Sequence, residues 1–161
     1  MTDAVTLQLF TADDLEWLVD QHARLYARDE GFDESFGQLV RQILEDFVTD
    51  HDSTCERGWM AMRNGQRLGS IFCVKLDDKN AKLRLFFLVP EARGLGVGKQ
   101  LLQACMGFAR DKGYEKMQLW THESHEAACA LYRKFGWQLL ASKPVKSFGV
   151  DLIEQSWEID L

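Results

Sequence analysis

Apolar positions along the chain follow two periods, and the places where the period changes mark its elements. Residues 5–10 alternate as a short first strand. Thr11 then takes an N-cap position ahead of Asp13 and Asp14, and a helix runs on through about residue 27. A second helix fits residues 33–49, with Phe36, Leu39, Val40, Ile43, Leu44 and Phe47 on one face. Asn64-Gly65 divides the apolar runs 58–63 and 68–76 and predicts a tight hairpin. Residues 77–80 form a polar turn into a strand over 81–89.

Val97, Leu101, Leu102, Cys105, Phe108 and Ala109 recur at helical spacing up to Lys112, where Gly113 stops the helix. Residues 116–121 read as a strand and 124–135 as a helix closed by Gly136. Residues 137–142 and 155–161 read as closing strands. The order β-α-α-β-β-β-α-β-α-β-β combines hairpins with two β-α-β crossovers. It predicts an α/β (α+β) domain with a mixed sheet and helices on both faces.

The chain has 161 residues and only two prolines, with no repeat and no Pro/Gly/Ser linker, so one domain over 1–161 is expected. A net charge of −6 argues against general nucleic-acid binding, which uses a basic face. No apolar run reaches the ~18–20 residues of a membrane span, and the N-terminus carries no apolar signal core. Cys55, Cys73, Cys105 and Cys129 form no C-x-x-C pair and read as free thiols in a reducing cytoplasm.

Between the strand at 81–89 and the helix after it lies Val89-Pro90-Glu91-Ala92-Arg93-Gly94-Leu95-Gly96-Val97-Gly98-Lys99-Gln100. Alternate glycines let backbone N–H groups turn inward without Cβ clashes, and the helix start adds its unpaired donors and positive dipole end. The turn is suited to a phosphate. Two common phosphate motifs fail on spacing. A P-loop needs Ser or Thr after its lysine, and here Gln100 follows Lys99. A dinucleotide fingerprint needs a third glycine where Lys99 stands.

Arg-x-x-Gly-x-Gly, here Arg93-Gly94-Leu95-Gly96-Val97-Gly98, resembles the acetyl-CoA signature of the GNAT superfamily of N-acetyltransferases. Leu88-Val89-Pro90 is similar to that family's apolar-x-Pro strand end. Ala128-Cys129-Ala130-Leu131-Tyr132-Arg133-Lys134-Phe135-Gly136-Trp137 is similar to its second element, A-x-x-L-Y-x-x-x-G-[FW]. A narrower likeness, to acetyltransferase domains fused to MarR-type regulators, lies in Leu25-Tyr26-Ala27, Leu83-Arg84-Leu85, Leu119-Trp120-Thr121, Ser147-Phe148-Gly149 and Gln155-Ser156-Trp157-Glu158. One departure stands out: His125 occupies a position where the family often has asparagine.

The resemblance implies a mostly antiparallel sheet, acetyl-CoA as co-substrate, and acetyl transfer to the primary amine of a small molecule or peptide. A non-catalytic acyl-CoA-binding regulatory module on the same fold is the alternative. The resemblance also assigns the pyrophosphate to backbone N–H groups of Arg93, Gly94, Leu95, Gly96, Val97 and Gly98 and the helix start at Lys99. The pantetheine arm falls to backbone groups around Leu88 and Val89, in a gap between parted strands. Tyr132 matches the tyrosine placed near the cofactor sulfur, where a phenol can donate to a departing thiolate.

Proton removal from the amine has three candidates, His122, Glu91 and Glu123, besides a relay through water. The acceptor side falls to the joint between the first two helices, with Tyr26, Glu30 and Phe32. Arg84 is the candidate partner for a substrate carboxylate. His122 and His125 are spaced i, i+3 with no third ligand, so no metal site is expected. The closing strands and several tryptophans offer a surface for a homodimer.

Overall fold

A computed structural model describes residues 4–161. Its strands are β1 (Thr6–Leu9), β2 (Arg57–Arg63), β3 (Gln66–Lys75), β4 (Asn80–Leu88), β5 (Lys116–His122), β6 (Gln138–Ser147) and β7 (Val150–Asp160). Its helices are α1 (Leu15–Glu30), α2 (Glu34–Asp50), α3 (Val97–Asp111) and α4 (Glu126–Lys134). The strands form one sheet in the order β1-β2-β3-β4-β5-β7-β6. Every neighbouring pair is antiparallel except β4 and β5. Element order and the mixed sheet agree with the pattern read from the sequence.

Adjacent residues of β4 show how the layers are arranged. The Phe87 ring meets His22, Trp17 and Tyr26 of α1. Phe86 points the other way, toward Tyr132 of α4. Alternation along a strand sends successive side chains to opposite faces, so α1 and α2 cover one face while α3 and α4 cover the other. Leu18, Leu44, Ile71, Leu101, Met117 and Leu119 are buried between these layers.

Two boundaries differ from expectation. The first helix runs to Glu30, where Gly31 at φ 73° ends it in a left-handed cap. The closing strands are longer than predicted and join through the two-residue turn Phe148–Gly149, with φ 55° and 78°. Pro144 lies within β6. It is tolerated because β6 is the sheet's edge strand, where a missing N–H faces no partner.

The sheet is interrupted at one place. Ser70 pairs with Phe87 and Phe72 with Arg84, so β4 carries one extra residue against β3. Leu85 sits in this bulge at φ 47°, in left-handed space that a γ-branched residue seldom enters. Gly69 makes the tight approach there, since a Cβ on it would overlap the Phe87 carbonyl oxygen. Before the bulge, β4 pairs with β5 from Asn80 to Lys82. Beyond Lys82 the two strands part, and the rest of β5 is held by β7 alone.

Candidate active site

The parted strands open a cleft of about 670 Å³. Phe86, Leu88 and Pro90 form its β4 side, Tyr26 and Glu30 its α1 side, and His125, Ala128 and Leu131 its α4 side. Arg93 lies at the end nearest the glycine turn. Val89 donates its N–H to the Leu68 carbonyl at 2.9 Å. Alternation along an antiparallel strand then turns the Leu88 N–H the other way, into the opening. Of the two residues expected to offer backbone donors, Leu88 has its N–H free and Val89 does not.

The glycine turn follows directly. Pro90–Ala92 make one turn of 3-10 helix, and Gly94 and Gly96 then adopt φ 78° and 74°. Left-handed residues at alternate positions curl the backbone, and Gly96 caps α3. The first turn of α3 leaves the N–H groups of Val97, Gly98 and Lys99 without helical acceptors. Gly94, Leu95, Gly96 and Lys99 are exposed, while Val97 and Gly98 are buried. Gly98 brings α3 against the cleft wall: a Cβ there would lie 3.3 Å from Leu88 and 3.4 Å from Leu131 and Phe86. A concave backbone ringed by donors, with Arg93 beside it, fits a pyrophosphate.

Tyr132 lies on the α4 side, 3% exposed, its ring 6.0 Å from Phe86 and 5.6 Å from Trp137. Burial pushes its phenol well above the usual range, with Cys129 adding to it, so it remains a proton donor. His122 ends β5, and its Nδ1 is buried with no hydrogen-bond partner among the described residues. Burial and then the neighbouring His125 lower its pKa, which favours the neutral ring.

Glu30 and His125 are joined across the cleft. His125 Nε2 lies 2.8 Å from Glu30 Oε2, and His125 Nδ1 lies 3.1 Å from Thr121 Oγ1. Burial works to raise the Glu30 carboxyl, but hydrogen bonds from His125 and Ser124 outweigh it and hold the group below its usual range. Behind this pair Tyr26 stacks on Phe32 at 5.6 Å and meets Phe36 edge-on at 4.8 Å. Phe148 reaches over from the β6–β7 turn to both Phe32 and Phe36, each at 4.9 Å. Asp33 N–H donates to the Phe148 carbonyl at 2.9 Å, pinning the turn to the α1–α2 joint.

The cleft thus gathers Tyr26, Glu30, Leu88 and Arg93. Tyr132 packs behind Phe86 rather than in the lining, and Phe32 and His122 lie behind the Glu30–His125 pair. Arg84 lies elsewhere. Its pairing with Phe72 puts it on the α2 side of the sheet, in a separate cavity of about 290 Å³ beside Asp46 and His51. The bulge at Leu85 separates it from the cleft residues Phe86 and Leu88. The Glu30–His125 bond and the Phe148 plug join residues far apart in the chain, and no local pattern marks them. The only sequence signal was His125 itself, standing where asparagine was expected. Among the described residues no group of three His, Cys, Asp or Glu side chains is placed to hold a metal ion. Among them, too, no helix is long and apolar enough to cross a membrane.

The family model described as Acetyltransferase (GNAT) family matches residues 15–137. A mycothiol acetyltransferase of Clavibacter sepedonicus is 27% identical over 134 residues, which cover 83% of this chain and 43% of that protein. N-acetyltransferase 8 of Rattus norvegicus is 32% identical over 127 residues, covering 76% and 53%. The chain therefore spans about half the length of these curated relatives. A GNAT-family acetyltransferase structure from Staphylococcus aureus superposes with a TM-score of 0.78 at 17% identity, covering 98% of this chain and 99% of that one. A spermidine N-acetyltransferase from Vibrio cholerae, solved with CoA and spermine, gives 0.74 at 15% identity, covering 99% and 96%. At these identities the structures speak for the fold.

Proposed function

The chain belongs to the GNAT acetyltransferase family, and from that premise we propose that it moves an acetyl group from acetyl-CoA to the primary amine of a small molecule or peptide. Within the family we set it beside the acetyltransferase domains that accompany MarR-type regulators. The observation that carries the proposal is the parting of β4 and β5 next to the glycine turn. That opening has phosphate donors at one end, where a pantetheine arm would lead into it.

The bound thioester supplies an acetyl carbon open to attack by an amine. The chain's own groups then have four tasks. The Gly94–Lys99 backbone and Arg93 hold the pyrophosphate. The Leu88 N–H donates to the carbonyl oxygen as negative charge develops there. His122, held neutral, takes the proton that the amine nitrogen loses as its bond to carbon forms, through water in the cleft. Tyr132, held protonated, donates to the sulfur as the carbon–sulfur bond breaks. Holding the two reactants in one cleft supplies much of the acceleration by itself.

Incubating the protein with acetyl-CoA and a panel of amines, and following free thiol, tests the proposal. Acceptor-dependent thiol release is expected. Saturable CoA binding with no release from any amine would assign the chain instead to the acyl-CoA-binding modules.

A further inference from the structure

We infer that the acceptor is a primary amine on an apolar or aromatic carbon skeleton that bears no carboxylate. The inference rests on the acetyl-transfer reading and narrows its acceptor. Glu30 is the anchor. It is the last residue of α1, its side chain is only 12% exposed, and it forms part of the cleft wall. An ionised carboxylate offers about four lone-pair sites, so bonds from His125 and Ser124 leave room for an ammonium group. An amine arriving charged would be seated there and lose one proton to water before attack, leaving to His122 the second, lost as the bond to carbon forms.

A carboxylate on the acceptor finds no such seat. The cleft lining holds two arginines and no lysine among the described residues. Arg28 is largely exposed and bound to Asp29 at 2.8 Å. Arg93 belongs to the glycine turn, at the cofactor's end. Both nitrogens of His125 are engaged, by Thr121 and by Glu30. Arg84, the arginine that the sequence offered for this task, opens into the other cavity. A carboxylate beside Glu30 would lose its water with no cation to replace it, and it would face a like charge.

The rest of the acceptor meets carbon. Leu25 and Tyr26 of α1, with Phe87, share the cleft lining with Glu30. Burial, then Glu30 and Asp29, push the Tyr26 phenol above its usual range, so it adds no charge. This surface suits alkyl or aryl chains better than polyhydroxylated ones, whose hydroxyls would have few partners.

Matched pairs test the inference: tyramine against tyrosine, phenethylamine against phenylalanine, and 3-methylbutylamine against leucine. Each is assayed with the whole chain and acetyl-CoA by thiol release. The amines should exceed the amino acids in kcat/KM by roughly 100-fold or more, as expected when a charged group is left unpaired in a site. Glu30→Gln should raise KM for the amines about 10-fold while leaving the CoA-induced rise in Tm unchanged. Equal turnover of amines and amino acids, or an unchanged KM in the folded variant, overturns the inference and leaves acetyl transfer standing. CoA binding without turnover of any amine overturns the acetyl-transfer reading and this one with it. If Glu30→Gln fails to fold, the wild-type pairs decide.

Discussion

The Ser70 hydroxyl donates to the Leu85 carbonyl at 2.8 Å, and this bond braces the left-handed bulge at which β4 leaves β5. Ser70 is fully buried, and its hydroxyl is the partner that the Leu85 carbonyl loses on substitution. Ser70→Ala should cost about 1–3 kcal/mol of stability by stranding the carbonyl. It should also weaken acetyl-CoA binding, because the bulge lies between the end of β4–β5 pairing and the cleft residues Phe86 and Leu88. Denaturant midpoints with and without CoA separate the two effects. A variant that loses stability and keeps its full CoA-induced shift would remove the bulge from the binding account.

Gly69 lies against the same bulge from the β3 side. A methyl group there meets the backbone oxygen of Phe87, which cannot rotate away as a side chain would. Gly69→Ala should therefore destabilise by about 1–3 kcal/mol, the range typical of overpacking. Gly65 and Gly113 have open space around them but left-handed backbones, so substitutions there test strain without overlap. Thermal unfolding of Gly69→Ala beside Gly65→Ala compares the two mechanisms, with Gly69→Ala expected to be the less stable variant.

Tyr132→Phe keeps the ring packed against Phe86 and Trp137 and removes only the phenolic oxygen. Turnover should fall about 100-fold or more, the scale of a lost general acid. The CoA-induced rise in Tm should stay as it is in wild type. Unchanged turnover would take the acid role away from Tyr132.

His22 is buried, stacked 4.2 Å from Phe87, and bonded through Nδ1 to the Leu18 carbonyl at 2.7 Å. Burial lowers its pKa to about 4 from an ordinary 6.5, outweighing the Leu18 bond. The unfolded chain therefore binds a proton at a pH where the folded chain does not. The stability held above pH 6.5 is lost progressively as pH falls from about 6.5 to about 4, in total on the order of 3 kcal/mol. Urea midpoints across that window should fall less steeply in His22→Gln than in wild type. Parallel curves would show that His22 contributes nothing to the acid limb.

The features legible in the sequence were those with a local signature. Gly94 and Gly96 announced a backbone that only glycine adopts easily, and they take it at φ 78° and 74°. Asn64-Gly65 announced a hairpin turn for the same reason, at φ 51° and 74°. Phe148 makes an equivalent turn with Gly149 at φ 55°, but an aromatic residue gives no turn signal, so the pattern predicts closing strands shorter than β6 and β7. The face on which Arg84 sits depends on one extra residue at Leu85, and hydrophobic alternation alone does not reveal a bulge. Glu30 and His125 are 95 positions apart, and their bond exists only once α1 and α4 meet across the cleft.

The central claim places coenzyme A in the opening between β4 and β5, with its pyrophosphate on the glycine turn. Glycine-selective ¹⁵N labelling tests it directly, because the 12 glycines are spread over the whole chain. On titration with CoA, the amide signals of Gly94, Gly96 and Gly98 should shift together and saturate, while those of Gly65 and Gly113 stay in place. Saturable shifts centred on other glycines, with Gly94, Gly96 and Gly98 unmoved, would contradict it.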